Sequence, residues 1–124
     1  MKAGIFSLNR WRMRFIYALR GWLVFCRTEH NAVIYLLSTA AVIIASLMKG
    51  VTKNEGIVLS IVIGFVWVSE LFNTAIESLA DMITLKTDDR VKAIKDMAAG
   101  AVLLSVLAAV VTGCLIFIPK FYKI

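Results

Sequence analysis

A chain of 124 residues that is 60% hydrophobic, with a mean hydropathy of +0.85, carries more apolar surface than a soluble domain of its size can bury. That excludes an ordinary soluble enzyme. It also excludes a disulfide scaffold, because the two cysteines, Cys26 and Cys114, stand apart without a CxxC pair and read as small buried hydrophobes. The net charge of +6 is concentrated ahead of the first acid, Glu29, in Lys2, Arg10, Arg12, Arg14, Arg20 and Arg27; in so apolar a chain it points to an anionic membrane surface, and no nucleic-acid partner is expected.

Over residues 8–28, Trp11, Phe15, Ala18/Leu19, Trp22 and Phe25 recur at helical spacing with Arg10, Arg14 and Arg20 around them. The pattern predicts an amphipathic helix lying in the membrane interface, apolar face down. It lacks the compact apolar stretch and small-residue cleavage site of a signal peptide.

Residues 32–48 are uncharged and predict a first span over about 31–49, followed by a polar turn containing Lys49, Gly50 and Glu55. Residues 57–69 are apolar, and the helical pattern runs on to Ile83, giving a second span over 55–83. Residues 97–118 are uncharged and stop at Pro119, giving a third over 95–118. Crossing a ~30 Å hydrocarbon core takes roughly 20 helical residues. The expected fold is therefore all-α and membrane-integral: one interfacial helix and three transmembrane helices in a single domain over residues 1–124.

Basic residues near the span ends set the orientation. The N-terminal segment holds six, and the 83–96 loop adds Lys86, Arg90, Lys92 and Lys95; the other side has only Lys49, Lys53, Lys120 and Lys123. This places the N-terminus and the 83–96 loop in the cytoplasm and the C-terminus outside, across a bacterial cytoplasmic membrane.

The second span carries a costly anomaly. Glu70, Asn73, Glu77 and Asp81 fall at helical spacing, within an arc of roughly 80°. An acid at the centre of an inserted helix costs roughly 2.5–3.5 kcal/mol, so three acids on one stripe call for a use. With the cytoplasmic orientation, Glu29, Lys95 and Asp96 belong to the same membrane depth as the stripe. Carboxylates there suit a hard divalent cation, Mg²⁺ with a phosphate co-ligand, and the cations suit an anionic substrate. Together they point to phosphoryl transfer onto a lipid alcohol. No phosphate-loop or soluble-kinase motif occurs, so an ATP site would have to be built differently.

The stretch Glu70-Leu-Phe-Asn-Thr-Ala-Ile-Glu77-Ser-Leu-Ala-Asp81, with Lys95-Asp96-Met-Ala-Ala-Gly-Ala-Val102, closely resembles the prokaryotic diacylglycerol kinase family of small integral-membrane enzymes. The resemblance covers nearly the whole chain. It implies that Glu70 is the catalytic base acting on a primary hydroxyl. Glu29 and Glu77 would hold the metal bridging ATP phosphates, Arg10, Tyr17, Lys95 and Asp96 would contact the nucleotide alongside them, and Asn73 and Asp81 would complete the stripe. It also implies a homotrimer with sites shared between copies. Within the family, Asn73-Thr-Ala-Ile-Glu77, Ala98-Ala-Gly-Ala-Val102 and Ile116-Phe-Ile-Pro-Lys120 look more like the undecaprenol kinase branch than the diacylglycerol branch, and Lys86-Thr-Asp88 departs from the diacylglycerol type.

Two other readings compete. A small proton-coupled transporter or pore would place a carboxylate near the bilayer midplane and would have no need of Lys95 and Asp96. A purely structural stripe would cement helix packing through hydrogen bonds, a role that suits one Asn better than three acids. The small residues Ala98, Ala99, Gly100 and Ala101 read as a site of close helix approach, and Trp67 as packing or lipid contact.

Overall fold

The computed structural model describes residues 8–84 and 86–122, so Lys2 and Lys123 lie outside the described residues. Four helices follow one another: α1 (Leu8–Thr28), α2 (Ala32–Lys49), α3 (Lys53–Ile83) and α4 (Asp89–Tyr122). The last three are long and apolar enough to cross a membrane. By contact the chain divides into two compact units, residues 1–34 and 35–124.

In the first unit, α1 occupies the expected 8–28. It ends where the Glu29 amide donates to the Phe25 carbonyl, and the Glu29 carbonyl then accepts the Ala32 amide to start α2.

In the second unit, each helix end has a local cause. At the end of α2, Gly50 takes φ +73°, a left-handed conformation that favours glycine, and both Gly50 and Val51 amides return to the Ser46 carbonyl. Helix α3 begins at Lys53, two residues before the expected start. Thr52 and Glu55 form a reciprocal capping box: the Glu55 amide donates to Thr52 Oγ1 at 3.2 Å and the Thr52 amide to Glu55 Oε1 at 3.0 Å.

The largest departure from expectation is α4. It begins at Asp89 rather than 95, because Asp88 Oδ1 accepts the amides of Arg90 (2.8 Å) and Val91 (3.4 Å), which opens the helix six residues early. Helix α4 accordingly takes in residues 89–96 of the expected 83–96 loop. At the other end α4 passes through Pro119 to Tyr122. A proline this close to a helix end removes one backbone bond, and the turn beyond it is held from outside. Lys120 Nζ meets Glu55 Oε1 at 3.0 Å, and Lys49 Nζ lies 4.5 Å from the centre of the Phe121 ring.

Helices α3 and α4 form the close-packed antiparallel pair. Ion pairs clasp it at both ends, Glu55 to Lys120 and Asp81 to Lys95. On each helix the two anchor residues are about 38 Å apart along the axis. This register puts Ala98 and Ser105 of α4 at the levels of Glu77 and Glu70, and both are buried. Of the expected small-residue patch, only Ala98 is buried; Ala99, Gly100 and Ala101 are exposed. Both cysteines are free and exposed, not buried as expected. Among the described residues the buried apolar set is only Phe25, Ala32, Leu59, Ala80 and Ala98, so most large apolar side chains face outward, as a lipid solvent requires.

Candidate active site

The polar stripe of α3 is a file of graded burial. Glu70 is 4% exposed and Asn73 8%, Glu77 is half-buried, and Asp81 is exposed. At 1.5 Å per residue, Glu70 lies about 22 Å along the axis from Glu55 and about 16 Å from Asp81. The file thus starts near the middle of a helix about 46 Å long and ends at its polar tip.

Each member has a different neighbour. Glu70 Oε2 accepts the phenolic hydroxyl of Tyr35, from the start of α2, at 3.0 Å. Asn73 Nδ2 donates to Glu77 Oε1, one turn along, at 3.3 Å. Its carbonyl oxygen, Asn73 Oδ1, is buried without a hydrogen-bond partner. A buried acceptor without a partner costs on the order of 1–3 kcal/mol. Asp81 Oδ1 takes the ammonium of Lys95, and Asp96 Oδ2 takes that of Lys92, 2.7 Å away on the same face of α4. Both expected nucleotide contacts on α4 therefore sit within salt bridges at the Asp81 end.

Beyond that end lies Asp88. The Arg90 amide, then the Arg90 guanidinium, then the Val91 amide all favour its carboxylate form and hold its pKa below the usual carboxylate value.

The first unit supplies the other expected site residues. Arg10 and Tyr17 are exposed on α1, with the Arg20 guanidinium 5.8 Å from the centre of the Tyr17 ring and Arg14 5.5 Å from that of Trp11. Glu29 sits in the break between α1 and α2, where its Oε1 accepts the Asn31 amide at 3.2 Å.

Among the described residues, no group of three or more His, Cys, Asp or Glu side chains comes together to hold a metal ion. The donors on the file are hard carboxylate and amide oxygens, the set that Mg²⁺ accepts when one or two carboxylates share it with substrate phosphates and water. The residues fit such an ion, and do not fit a closed all-protein cage.

Sequence reasoning missed Tyr35, the partner of Glu70, and Thr39, which accepts the Trp67 indole N–H at 3.0 Å. The Tyr35 and Trp67 rings are 6.0 Å apart, so Trp67 is tied to α2 by a hydrogen bond as well as by packing. The one available signal was a lone tyrosine in the first turn of an otherwise aliphatic span, and nothing in the sequence says which acid it meets.

The chain matches the prokaryotic diacylglycerol kinase family over residues 16–117. It is 38% identical to the undecaprenol kinase of Bacillus subtilis (strain 168) over 92% of this chain and 93% of that protein. It is 35% identical to the diacylglycerol kinase of Synechocystis sp. over 85% of this chain, which accounts for 61% of that protein. No solved structure matches it. The chain belongs to the prokaryotic diacylglycerol kinase family: it is a multi-pass membrane enzyme, a lipid kinase that transfers phosphate from ATP to an alcohol acceptor.

Proposed function

We propose that this chain is an undecaprenol kinase that forms undecaprenyl phosphate at the cytoplasmic face of the bacterial inner membrane. The observation that carries the reading is the polar file itself, which runs from the buried carboxylate of Glu70 about 16 Å along α3 to Asp81, where Lys95 and Asp96 gather. Support for the acceptor comes from the near full-length match to the Bacillus undecaprenol kinase, whereas the diacylglycerol kinase of Synechocystis is matched over three-fifths of its length.

Phosphoryl transfer asks the protein chiefly for positioning and charge neutralisation. The lipid hydroxyl oxygen attacks the γ-phosphorus while the bond from that phosphorus to the β–γ bridging oxygen breaks, and ADP leaves. Glu70 takes the hydroxyl proton on its carboxylate, with Tyr35 holding the Oε2 edge. Glu29 and Glu77 are the proposed holders of Mg²⁺, which when bound offsets phosphate charge. Lys95, Arg10, Tyr17 and Asp96 contact the nucleotide, and Asp81 keeps the Lys95 ammonium in place.

In this reading residues 1–124 act as one domain. Helix α1 lies in the interface with its arginines at the headgroups, the N-terminus is cytoplasmic and the C-terminus outside. Three copies assemble with sites shared between neighbours.

The test offers [γ-³²P]ATP with undecaprenol and diacylglycerol, in parallel, to purified protein in bilayers with and without Mg²⁺. Preferential labelling of undecaprenol, dependent on Mg²⁺, is expected; preferential labelling of diacylglycerol reassigns the acceptor. A metal requirement unaltered by Glu29→Gln or Glu77→Gln removes those two from the metal site.

A further inference from the structure

Helices α2 and α3 run antiparallel in a single register that can be followed residue by residue. Tyr35 meets Glu70 and Thr39 meets Trp67. The same register then brings Val42 to the level of Ile63 and Ser46 to that of Leu59 and Ser60. There a cavity of about 220 Å³ opens, lined by these residues together with Ile43, Leu47, Val51 and Gly56. It lies about 10–21 Å along α3 from Glu70, on the side away from Asp81.

Three features of this cavity bear on its use. It occupies the looser seam of α3, since the close helix approach is to α4. Its only side-chain hydroxyls are spent on their own helices: Ser46 Oγ donates to the Val42 carbonyl at 2.7 Å and Ser60 Oγ to the Gly56 carbonyl at 2.8 Å. Its wall therefore presents hydrocarbon and no free donor, the lining of an apolar ligand site rather than of a water pocket. Finally, it lies in the same α2/α3 seam as Glu70, beyond the hydrogen bond between Trp67 and Thr39.

We infer that this outer half of the α2/α3 cleft seats the apolar tail of the lipid acceptor, with Trp67 as the surface the tail crosses on leaving the hydroxyl at Glu70. The inference rests on the lipid-kinase reading above and adds to it a tail-binding subsite. A lipid whose hydroxyl reaches Glu70 from the membrane must lay its tail along the helices. The cleft provides an apolar course, and Val42, Ser46, Ser60 and Ile63 become positions that set which tails are accepted. Tail segments beyond the cavity lie in the bilayer and are not read.

The experiment fills the cavity from either wall, with Ser60→Phe on α3 and Ser46→Phe on α2, and compares a long acceptor with one too short to reach it. Undecaprenol and geraniol form the pair; dioleoylglycerol and dihexanoylglycerol replace them if diacylglycerol is the acceptor. The expected result is a fall of about tenfold or more in kcat/KM for the long acceptor with less than about twofold change for the short one. An unchanged ratio of long to short overturns the subsite while leaving the kinase reading intact. Wild-type protein that labels no lipid alcohol overturns both. A second measurement avoids these variants: in Trp11→Phe/Trp22→Phe protein, Trp67 fluorescence should be quenched more strongly by a tail-brominated acceptor than by an equal amount of brominated phosphatidylcholine. Equal quenching would mean that ordinary bilayer lipid occupies the cleft, and the inference fails.

Discussion

Helix α3 has two seams of opposite character. Against α4 it is close-packed, lined by small residues such as Ala80, Ala98 and Ser105, and clasped at both ends by Glu55–Lys120 and Asp81–Lys95. Against α2 the backbones stay further apart, and the contact is made by long side chains, Tyr35 to Glu70 and Trp67 to Thr39, with a cavity beyond them. The difference shows how one helix serves both stability and chemistry. Small residues and terminal ion pairs fix its position, which frees the other side to carry an open cleft and a buried carboxylate.

Four substitutions test this division, and the largest effect belongs to the loose seam. Glu70→Gln keeps the shape and the Tyr35 neighbour but removes the proton acceptor. Phosphoryl transfer should fall by about 10²–10⁴-fold with the thermal unfolding midpoint unchanged, read by radiolabel incorporation beside a melting curve. Near wild-type turnover would move the base elsewhere.

Ala98→Leu probes the tight seam. It forces extra methylenes between α3 and α4 at the level of Glu77 and should destabilise the protein by about 1–3 kcal/mol. The same exchange at exposed Ala99 should cost little. Equal effects at the two positions would mean that the seam is not packed as described.

Tyr35→Phe separates positioning from stability. A hydrogen bond to a carboxylate is worth on the order of 1.5–3 kcal/mol, so kcat should drop by about tenfold while KM for ATP stays put. A change in KM for ATP alone would assign Tyr35 to the nucleotide instead.

The smallest effect lies at the opening of α4. The pKa of Asp88 is lower in the folded chain than in the unfolded one, so its contribution is fully present above the unfolded carboxylate value of about 3.9 and is lost as pH falls through the folded value. Asp88→Asn can still accept the Arg90 and Val91 amides but cannot titrate. Its unfolding midpoint should therefore fall less steeply than wild type between about pH 5 and pH 2. Parallel curves would remove Asp88 as the source.

The architecture was largely legible. Uncharged runs marked the first and third spans, the helical pattern carried the second through its acidic stripe, and the periodic aromatics marked helix 8–28, because helix period and bilayer thickness are both written into the order of apolar residues. The misjudged boundaries were those set by capping. Thr52 with Glu55, and Asp88 with the amides after it, begin helices among charged residues that a hydropathy argument treats as loop. Pro119 was read as a stop, whereas its turn survives because Lys120 and Phe121 are held by residues of α3 and α2, more than 60 positions away in sequence.

Composition and residue order alone establish that this chain lives in a membrane, that Glu70, Asn73, Glu77 and Asp81 share one helix face, and that its motif is that of a lipid kinase family. Those facts depend on composition, on a period of 3.6 residues and on residue identity, all local properties. Helix packing settles which of the four are buried, that Asn73 keeps an unmet acceptor, that Tyr35 holds Glu70, and that an apolar cavity lies farther along the α2/α3 seam. Burial and partnership come from the register between helices, which packing sets across a distance in sequence that no local pattern records.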